Sequence, residues 1–340
     1  MKKTLKYTSI GLLVLFFVGI CITIAMNLVI PAIQKSKDIR VEGNAHRLEF
    51  ENAYGNNSAY HPSVINFGEK WNGYKYWMSH TPYPNADDSK ENPHIMVSNN
   101  LEHWVEPNGF TNPLEPVPEA YIHTKIYNSD AELVYNADTK ELECWWRFVD
   151  DINDDLIIYR KTTKDGVDWT EKQEILHTSR HTRDFISLAL IYEESKYKMW
   201  YVDVGYVVRY IESKDLKNWS EPIEVEITYD NPDLMSWHLD VVHENGIYEM
   251  VINAFVKGKN RRTMNLYYSK SKDNINWTEA KTILKPAKGT DNWDNKGLYR
   301  ASLMYDKNDC YMFYSGISKK SSEVYEGVGI VKLSNKWREE

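Results

Sequence analysis

The sequence predicts an all-β fold, a five-bladed β-propeller over residues 44–340, preceded by one N-terminal transmembrane helix. Three observations predict it: a tryptophan phrase that occurs four times, five paired strand segments, and one long apolar run near the N-terminus.

The phrase reads Ser98-Asn-Asn-Leu-Glu-His-Trp104, Thr163-Lys-Asp-Gly-Val-Asp-Trp169, Ser213-Lys-Asp-Leu-Lys-Asn-Trp219 and Ser271-Lys-Asp-Asn-Ile-Asn-Trp277. The copies stand roughly 50 to 65 residues apart, a spacing that marks a propeller or another repeat array. A Ser/Asp/Asn cluster between two strand-like runs is a hairpin signal, because short polar side chains bond their own backbone. Each phrase is therefore expected to turn between the outer two strands of a blade, with its tryptophan packing back over the hairpin. The Asp box of sialidases differs, since its tryptophan falls one residue later.

The inner half of each blade repeats as an apolar strand and an aromatic one joined by a polar turn. The pairs are Ser63–Phe67 with Tyr74–Met78, Ala131–Tyr135 with Leu142–Trp146, and Ser187–Ile191 with Tyr197–Tyr201. Leu239–Val242 with Ile247–Val251 and Ala301–Tyr305 with Cys310–Tyr314 complete the set. The fifth blade ends at Val328–Leu333 with no tryptophan phrase. Residues near His46 to Phe50 are expected to supply its outer strand and close the ring, which removes exposed sheet edges.

At the N-terminus, Lys2, Lys3 and Lys6 precede an uncharged run from Tyr7 to Gln34. Its strongly apolar part, Ile10 to Ile33, is long enough for a bilayer core of about 30 Å. The run is too long for a cleaved signal peptide, so residues 1–34 are expected to be a signal anchor. Residues 35–43 form a charged linker. Lys2, Lys3 and Lys6 are expected to stay inside and leave the propeller on the extracellular side of the cell membrane, the alternative from Lys35, Lys37 and Arg40 being a cytoplasmic-facing propeller.

The net charge of −8 is interspersed, with no basic stripe, which argues against a nucleic-acid partner. Of three cysteines, Cys21 lies in the apolar run, so Cys144 and Cys310 are expected as buried free thiols rather than a disulfide framework. Twenty-four Tyr and 12 Trp suit stacked twisted sheets and also the flat faces of sugars.

In a propeller, the openings of the innermost strands meet at one channel mouth. Here they are Tyr60-His61-Pro62, Asn128-Ser129-Asp130, Arg183-Asp184-Phe185-Ile186-Ser187, Trp237-His238-Leu239-Asp240 and Leu298-Tyr299-Arg300. Apolar residues would fill a structural channel at less cost, since buried polar groups need partners. The polar clustering points to a site. Tyr83, in the loop that begins Thr81-Pro82 and runs towards Asn92-Pro93, is placed to roof that mouth as a stacking surface.

These features resemble the furanosidase-type five-bladed propellers typified by glycoside hydrolase families 43 and 32. The resemblance covers about residues 44 to 335 and implies a carbohydrate partner and three carboxylates at the openings of the first three blades. Glycosidic hydrolysis needs two carboxyl groups flanking the bond. Asp130 matches the second-blade position. His61 stands where the first-blade carboxylate belongs, and Ser187 near the third, with Asp184 the nearest carboxylate. Asp240 is a candidate replacement from the fourth blade.

Asp130, Asp240, Asp184 and His61 are thus the candidate catalytic residues. His238, Trp237, Arg147, Arg300, Tyr299, Ser187 and Tyr83 are the candidate substrate-binding residues. The expected function is a membrane-anchored glycoside hydrolase acting on a surface or extracellular polysaccharide. The alternative is a non-catalytic glycan-binding or assembly protein of a polysaccharide system. No cofactor is expected. His61 and His238 can meet Asp130 or Asp240 across the channel, but no metal-binding spacing marks them, so no metal is expected.

Overall fold

A computed structural model describes residues 45–55, 57–289, 292–319 and 327–334. The apolar run and the linker lie outside the described residues. Among the described residues, no helix is long and apolar enough to cross a membrane.

Among the described residues, nineteen strands form five antiparallel sheets, one per blade. Blade one holds β2 (Ala59–Trp71), β3 (Tyr74–Pro82) and β4 (His94–Ser98). Blade two holds β5 (Ile126–Asn136), β6 (Glu141–Asp150), β7 (Asp155–Thr163) and β8 (Gln173–Ser179). Blade three holds β9 (Ile186–Glu193), β10 (Lys196–Asp203), β11 (Val207–Ser213) and β12 (Ile223–Val225). Blade four holds β13 (Leu234–Glu244), β14 (Ile247–Val256), β15 (Asn265–Ser271) and β16 (Lys281–Leu284). Blade five holds β17 (Gly297–Asp306), β18 (Asp309–Ile317) and β19 (Gly327–Leu333), and its outer strand is β1 (His46–Arg47). β1 pairs His46 with Ile330 and Arg47 with Gly329, so the first described residues do close the ring.

Aromatic residues on the middle strands form the contacts between blades. Trp77, Trp145, Trp146 and Trp200 are fully buried. Trp200 packs 5.0 Å from Tyr210 in its own blade and 5.9 Å from Tyr248 in the next, measured between ring centroids. Burying such a ring stabilises by roughly 2–3 kcal/mol, which explains why the aromatic strand recurs in each blade.

The tryptophan phrases are the outer turns. In blade three, Asp215 Oδ1 accepts from the Lys217 and Asn218 amides at 2.9 and 2.8 Å, and Trp219 Nε1 donates to the Leu216 carbonyl at 3.3 Å. Ser213 and Trp219 form a β-bridge, as do Thr163 with Trp169 and Ser271 with Trp277. In blade one the bridge lies one residue outside the phrase on each side, at Val97 and Val105. Gly166 (φ +78°) is required in its turn, because a Cβ there would lie 2.0 Å from the Trp77 ring.

Two features of the innermost strands position the site. First, each ladder is interrupted near its opening: between Tyr60 and Ser63, Ser129 and Glu132, Ser236 and His238, Leu298 and Ala301, and in blade three opposite the step from Trp200 to Val202. His61, Asp130 and Ser187 take left-handed backbone conformations there (φ 53°, 55° and 57°). A bulge re-aims a side chain that regular pleating would send to a sheet face. Second, inner-strand side chains staple successive blades. Ser63 Oγ accepts the Leu133 amide (3.0 Å), and Glu132 accepts the Leu190 amide. Ser187 Oγ accepts from the Leu239 amide (3.0 Å) and donates to its carbonyl (2.7 Å). Asp240 Oδ2 accepts the Leu303 amide (3.0 Å), and Ser302 Oγ accepts the Val64 amide (3.3 Å), which completes the circle. Cys144 and Cys310 are buried free thiols.

Candidate active site

The mouth is a polar cavity of about 530 Å³ that includes His61, Tyr83, Asp130, Arg147, Trp237, His238 and Tyr299 in its wall. At its floor, His61, Asp130 and His238 bring one N or O atom each within 4.8 Å of one another, all three residues being buried. His61 Nε2 stands 3.6 Å from Asp130 Oδ1, and His238 Nδ1 stands 3.3 Å from the same oxygen. Beyond these contacts with one another, His61 Nε2, Asp130 Oδ1 and both ring nitrogens of His238 have no hydrogen-bond partner in the protein. Buried polar atoms are ordinarily paired, and four orphaned ones in one cluster mark a place for a ligand. The expectation of no metal is corrected to this extent: a three-residue set of metal-binding type is present. Its members come from three blades, so no local spacing could announce it.

Neighbours fix each member. Thr81 Oγ1 lies 2.6 Å from His61 Nδ1, which turns Nε2 toward Asp130. The His238 amide donates to Asn253 Oδ1 at 2.6 Å. Arg147 donates to Asp130 Oδ2 (3.2 Å) and to Asp184 Oδ1 (2.5 Å). Burial opposes ionisation of Asp130, but the imidazoles of His61 and His238 and the Arg147 guanidinium outweigh it and hold its carboxyl well below the usual range. Burial pushes His61 well below the ordinary imidazole value and lowers His238, so both rings are neutral beside an anionic carboxylate.

Glu91, absent from the candidate residues read from the sequence, lines the same cavity with its Oε2 3.9 Å from His61 Nδ1. Burial, then the carboxylates of Asp130 and Asp88, push its pKa well above the usual carboxylate value. Its one sequence sign was its place before Asn92-Pro93, in the loop expected to roof the mouth. Tyr83 does line the mouth, its hydroxyl donating to Asp88 at 2.6 Å. Tyr299 packs 4.6 Å from the His238 ring and accepts from Trp237 Nε1 at 2.8 Å.

Four expected site residues lie elsewhere. Asp240 does not face Asp130, because it is the staple to Leu303 and lines a separate cavity, of about 330 Å³, further along the innermost strands. Asp240 therefore does not replace the missing carboxylate beside Asp130. Arg300 is fully buried beneath the mouth, donating to Glu132 and to the Ala131 and Leu188 carbonyls, so it cannot reach a substrate in this conformation. Ser187 is likewise fully buried in its staple. Asp184 accepts from Arg147 and from Arg180 Nε (3.1 Å), which makes it a support for Arg147 rather than a wall of the cavity.

The architecture is that of the five-bladed propeller glycoside hydrolase group. The model of the glycosyl hydrolases family 32 N-terminal domain matches residues 234–339. The chain is 29% identical to the A type blood N-acetyl-alpha-D-galactosamine deacetylase of Flavonifractor plautii, over 75% of this chain and 39% of that protein. It thus spans about two fifths of the length of the curated relative it matches. The crystal structure of an N-acetylgalactosamine deacetylase from F. plautii, in complex with blood group B trisaccharide, superposes with a TM-score of 0.76. That match has 24% identity and covers 88% of this chain and 97% of that one. An exo-1,5-alpha-L-arabinanase from a bovine ruminal metagenomic library gives a TM-score of 0.55 at 14% identity, over 82% and 94% of the two chains. At these identities the solved structures establish the fold alone.

Proposed function

We propose that this chain is a carbohydrate-active hydrolase that removes the N-acetyl group of an amino sugar, with a divalent ion held by His61, Asp130 and His238. The observation that carries this reading is the buried cluster of inward-facing N and O atoms without protein partners. Two neutral imidazoles and one ionised carboxylate suit a first-row divalent cation. When bound, such an ion supplies Lewis acidity toward an amide carbonyl and a nearby water. The similarity to a deacetylase of an N-acetylated sugar supports the choice of an acetamido group.

The chain's own residues supply orientation and a proton. Thr81 holds the His61 ring in orientation, and Arg147, itself held by Asp184, keeps Asp130 aimed inward. Glu91, kept protonated by burial beside other carboxylates, is the group to hand a proton to the departing amine. Water adds to the acyl carbon, the C–N bond breaks, and the proton that the water loses restores Glu91, leaving acetate and a free amino sugar. Trp237, Tyr299 and Tyr83 offer apolar ring faces to the sugar.

Glycosidic hydrolysis is the second reading. It is favoured by Asp130 and Glu91 sharing one cavity, the first ionised and the second protonated, and by the family 32 match. Incubation with N-acetylgalactosaminides separates the two. Acetate release that EDTA stops, that added Mn²⁺ or Zn²⁺ restores, and that Glu91→Gln slows about a hundredfold is the expected result. New reducing ends without acetate, indifferent to EDTA, would overturn it in favour of the glycosidase. Binding with no turnover of either kind would favour a glycan-binding module.

The apolar run of residues 10–33 motivates a further part of the proposal: a single-pass anchor, an extracellular propeller and a surface or extracellular polysaccharide as target. Protease treatment of intact cells is expected to remove the propeller. Full protection would place it on the cytoplasmic side.

A further inference from the structure

We infer that the glycan bound at this mouth is anionic, and that Lys259, Arg261 and Arg262 on the blade-four rim receive its negative group. The inference rests on reading the mouth as a carbohydrate site and adds the chemical class of the ligand.

The chain carries a net charge of −8, yet the loop from Lys257 to Met264, between β14 and β15, contains Lys257, Lys259, Arg261 and Arg262 and no carboxylate. Three of these, Lys259, Arg261 and Arg262, line the mouth. The other cations around the mouth are matched. Arg147 is matched by Asp130 and Asp184, Arg180 by Asp151 and Asp184, and Lys125 by Asp88. Among the described residues, Lys259, Arg261 and Arg262 have no carboxylate partner. The acidic groups Asp88 and Glu91 lie on the blade-one side, so the mouth is polarised, with its unmatched positive charge on blade four.

The loop is built to hold those charges in place. Asn260 Oδ1 accepts the Arg262 amide (2.8 Å), and the Asn260 carbonyl accepts the Thr263 hydroxyl (3.1 Å). The Leu298 amide donates to the Met264 carbonyl at 2.9 Å. Gly297 lets the loop pack against β17, since a Cβ there would lie 2.2 Å from the Arg262 carbonyl oxygen. The Arg261 guanidinium lies over the Trp237 ring, 4.1 Å from its centroid. That ring is tied to Tyr299, which packs on His238. Stacking fixes the guanidinium while leaving its N–H edges free to fork onto a carboxylate or phosphate. An exposed cation with no partner gains from an anionic ligand what it cannot gain within the protein, and added salt weakens that gain.

Calorimetric titration of the described propeller within the full chain tests this. The probes are a chondroitin tetrasaccharide, the same tetrasaccharide with its carboxyls reduced to alcohols, and N-acetylgalactosamine 1-phosphate. At least tenfold tighter binding of the carboxylate-bearing sugar than of its reduced form is expected at low salt. That gap should shrink several-fold at 0.5 M salt and in Arg261→Gln, and further in Lys259→Gln/Arg261→Gln. Preference for the phosphate probe over the carboxylate would assign the rim to phosphorylated glycans. Equal affinity for charged and reduced tetrasaccharides, or a gap untouched by both variants, would overturn the inference. Acetate release is scored separately. Anion preference without acetate leaves this inference standing and the deacetylase reading fallen, whereas acetate from neutral sugars with no charge preference does the reverse.

Discussion

Two rings of side chains line the same channel, two residues apart along most of the innermost strands. The mouth ring includes His61, Asp130 and His238; the deeper ring includes Ser63, Glu132, Asp240 and Ser302. Every deeper member accepts a backbone amide from the next blade. The mouth members leave N and O atoms unpaired. Both rings are polar and buried, so polarity and burial do not separate function from structure here. What separates them is whether the protein itself satisfies each atom. A satisfied ring holds five sheets together, and an unsatisfied one waits for a ligand.

That contrast breaks most sharply at Asp130 and Asp240, both of them candidate catalytic carboxylates from the sequence. Asp130→Asn is expected to slow acetate release about a thousandfold, because it removes the anion between the two imidazoles. Asp240→Asn should leave turnover within about threefold, since Asp240 lines a different cavity. Equal losses in both variants would merge the two rings into one site.

Stability gives the next largest effect. Asp240→Ala leaves the buried Leu303 amide without its acceptor and should cost about 2 kcal/mol in chemical denaturation. Ser302→Ala, which removes the longer bond from the Val64 amide, should cost about 1 kcal/mol. Neither change should alter KM for the sugar.

The smallest expected effect is on pH dependence. Burial raises the pKa of Asp240, more than the nearby Arg300 and the Leu303 amide lower it. The folded state therefore favours the protonated carboxyl. That contribution is complete below the ordinary carboxylate value and is lost as pH rises through the raised folded value. Melting curves of wild type and Asp240→Asn should diverge in slope above about pH 4, with the variant flatter. Parallel profiles would mean that Asp240 is not held protonated.

Much of the fold was legible in the sequence because its signals are local. The Ser213–Trp219 phrase closes hydrogen bonds within seven residues, and Tyr197–Tyr201 shows its aromatic content directly. The closing strand was legible from a missing partner for Val328–Leu333. The site was legible only in part. The register brought His61, Asp130 and His238 to one mouth, but it did not reveal how deep in the channel each of the two polar residues of β13, His238 and Asp240, would lie. His238 and Asp240 share a side of the strand and differ only in depth. Glu91 escaped because its shifted pKa arises from burial beside residues remote in sequence. The cationic rim escaped because it is a loop, and only the fold shows that its neighbours are already paired.

The interrupted ladders at the strand openings carry a consequence for descent as well as geometry. His61 and Asp130 fall in the gaps of their ladders, so they contribute no cross-strand backbone pair to their sheets. Exchange of side chain at such a position leaves the sheet's pairing intact. A lineage can therefore trade a carboxylate for an imidazole there and acquire different chemistry, while the blades around it go on folding as before.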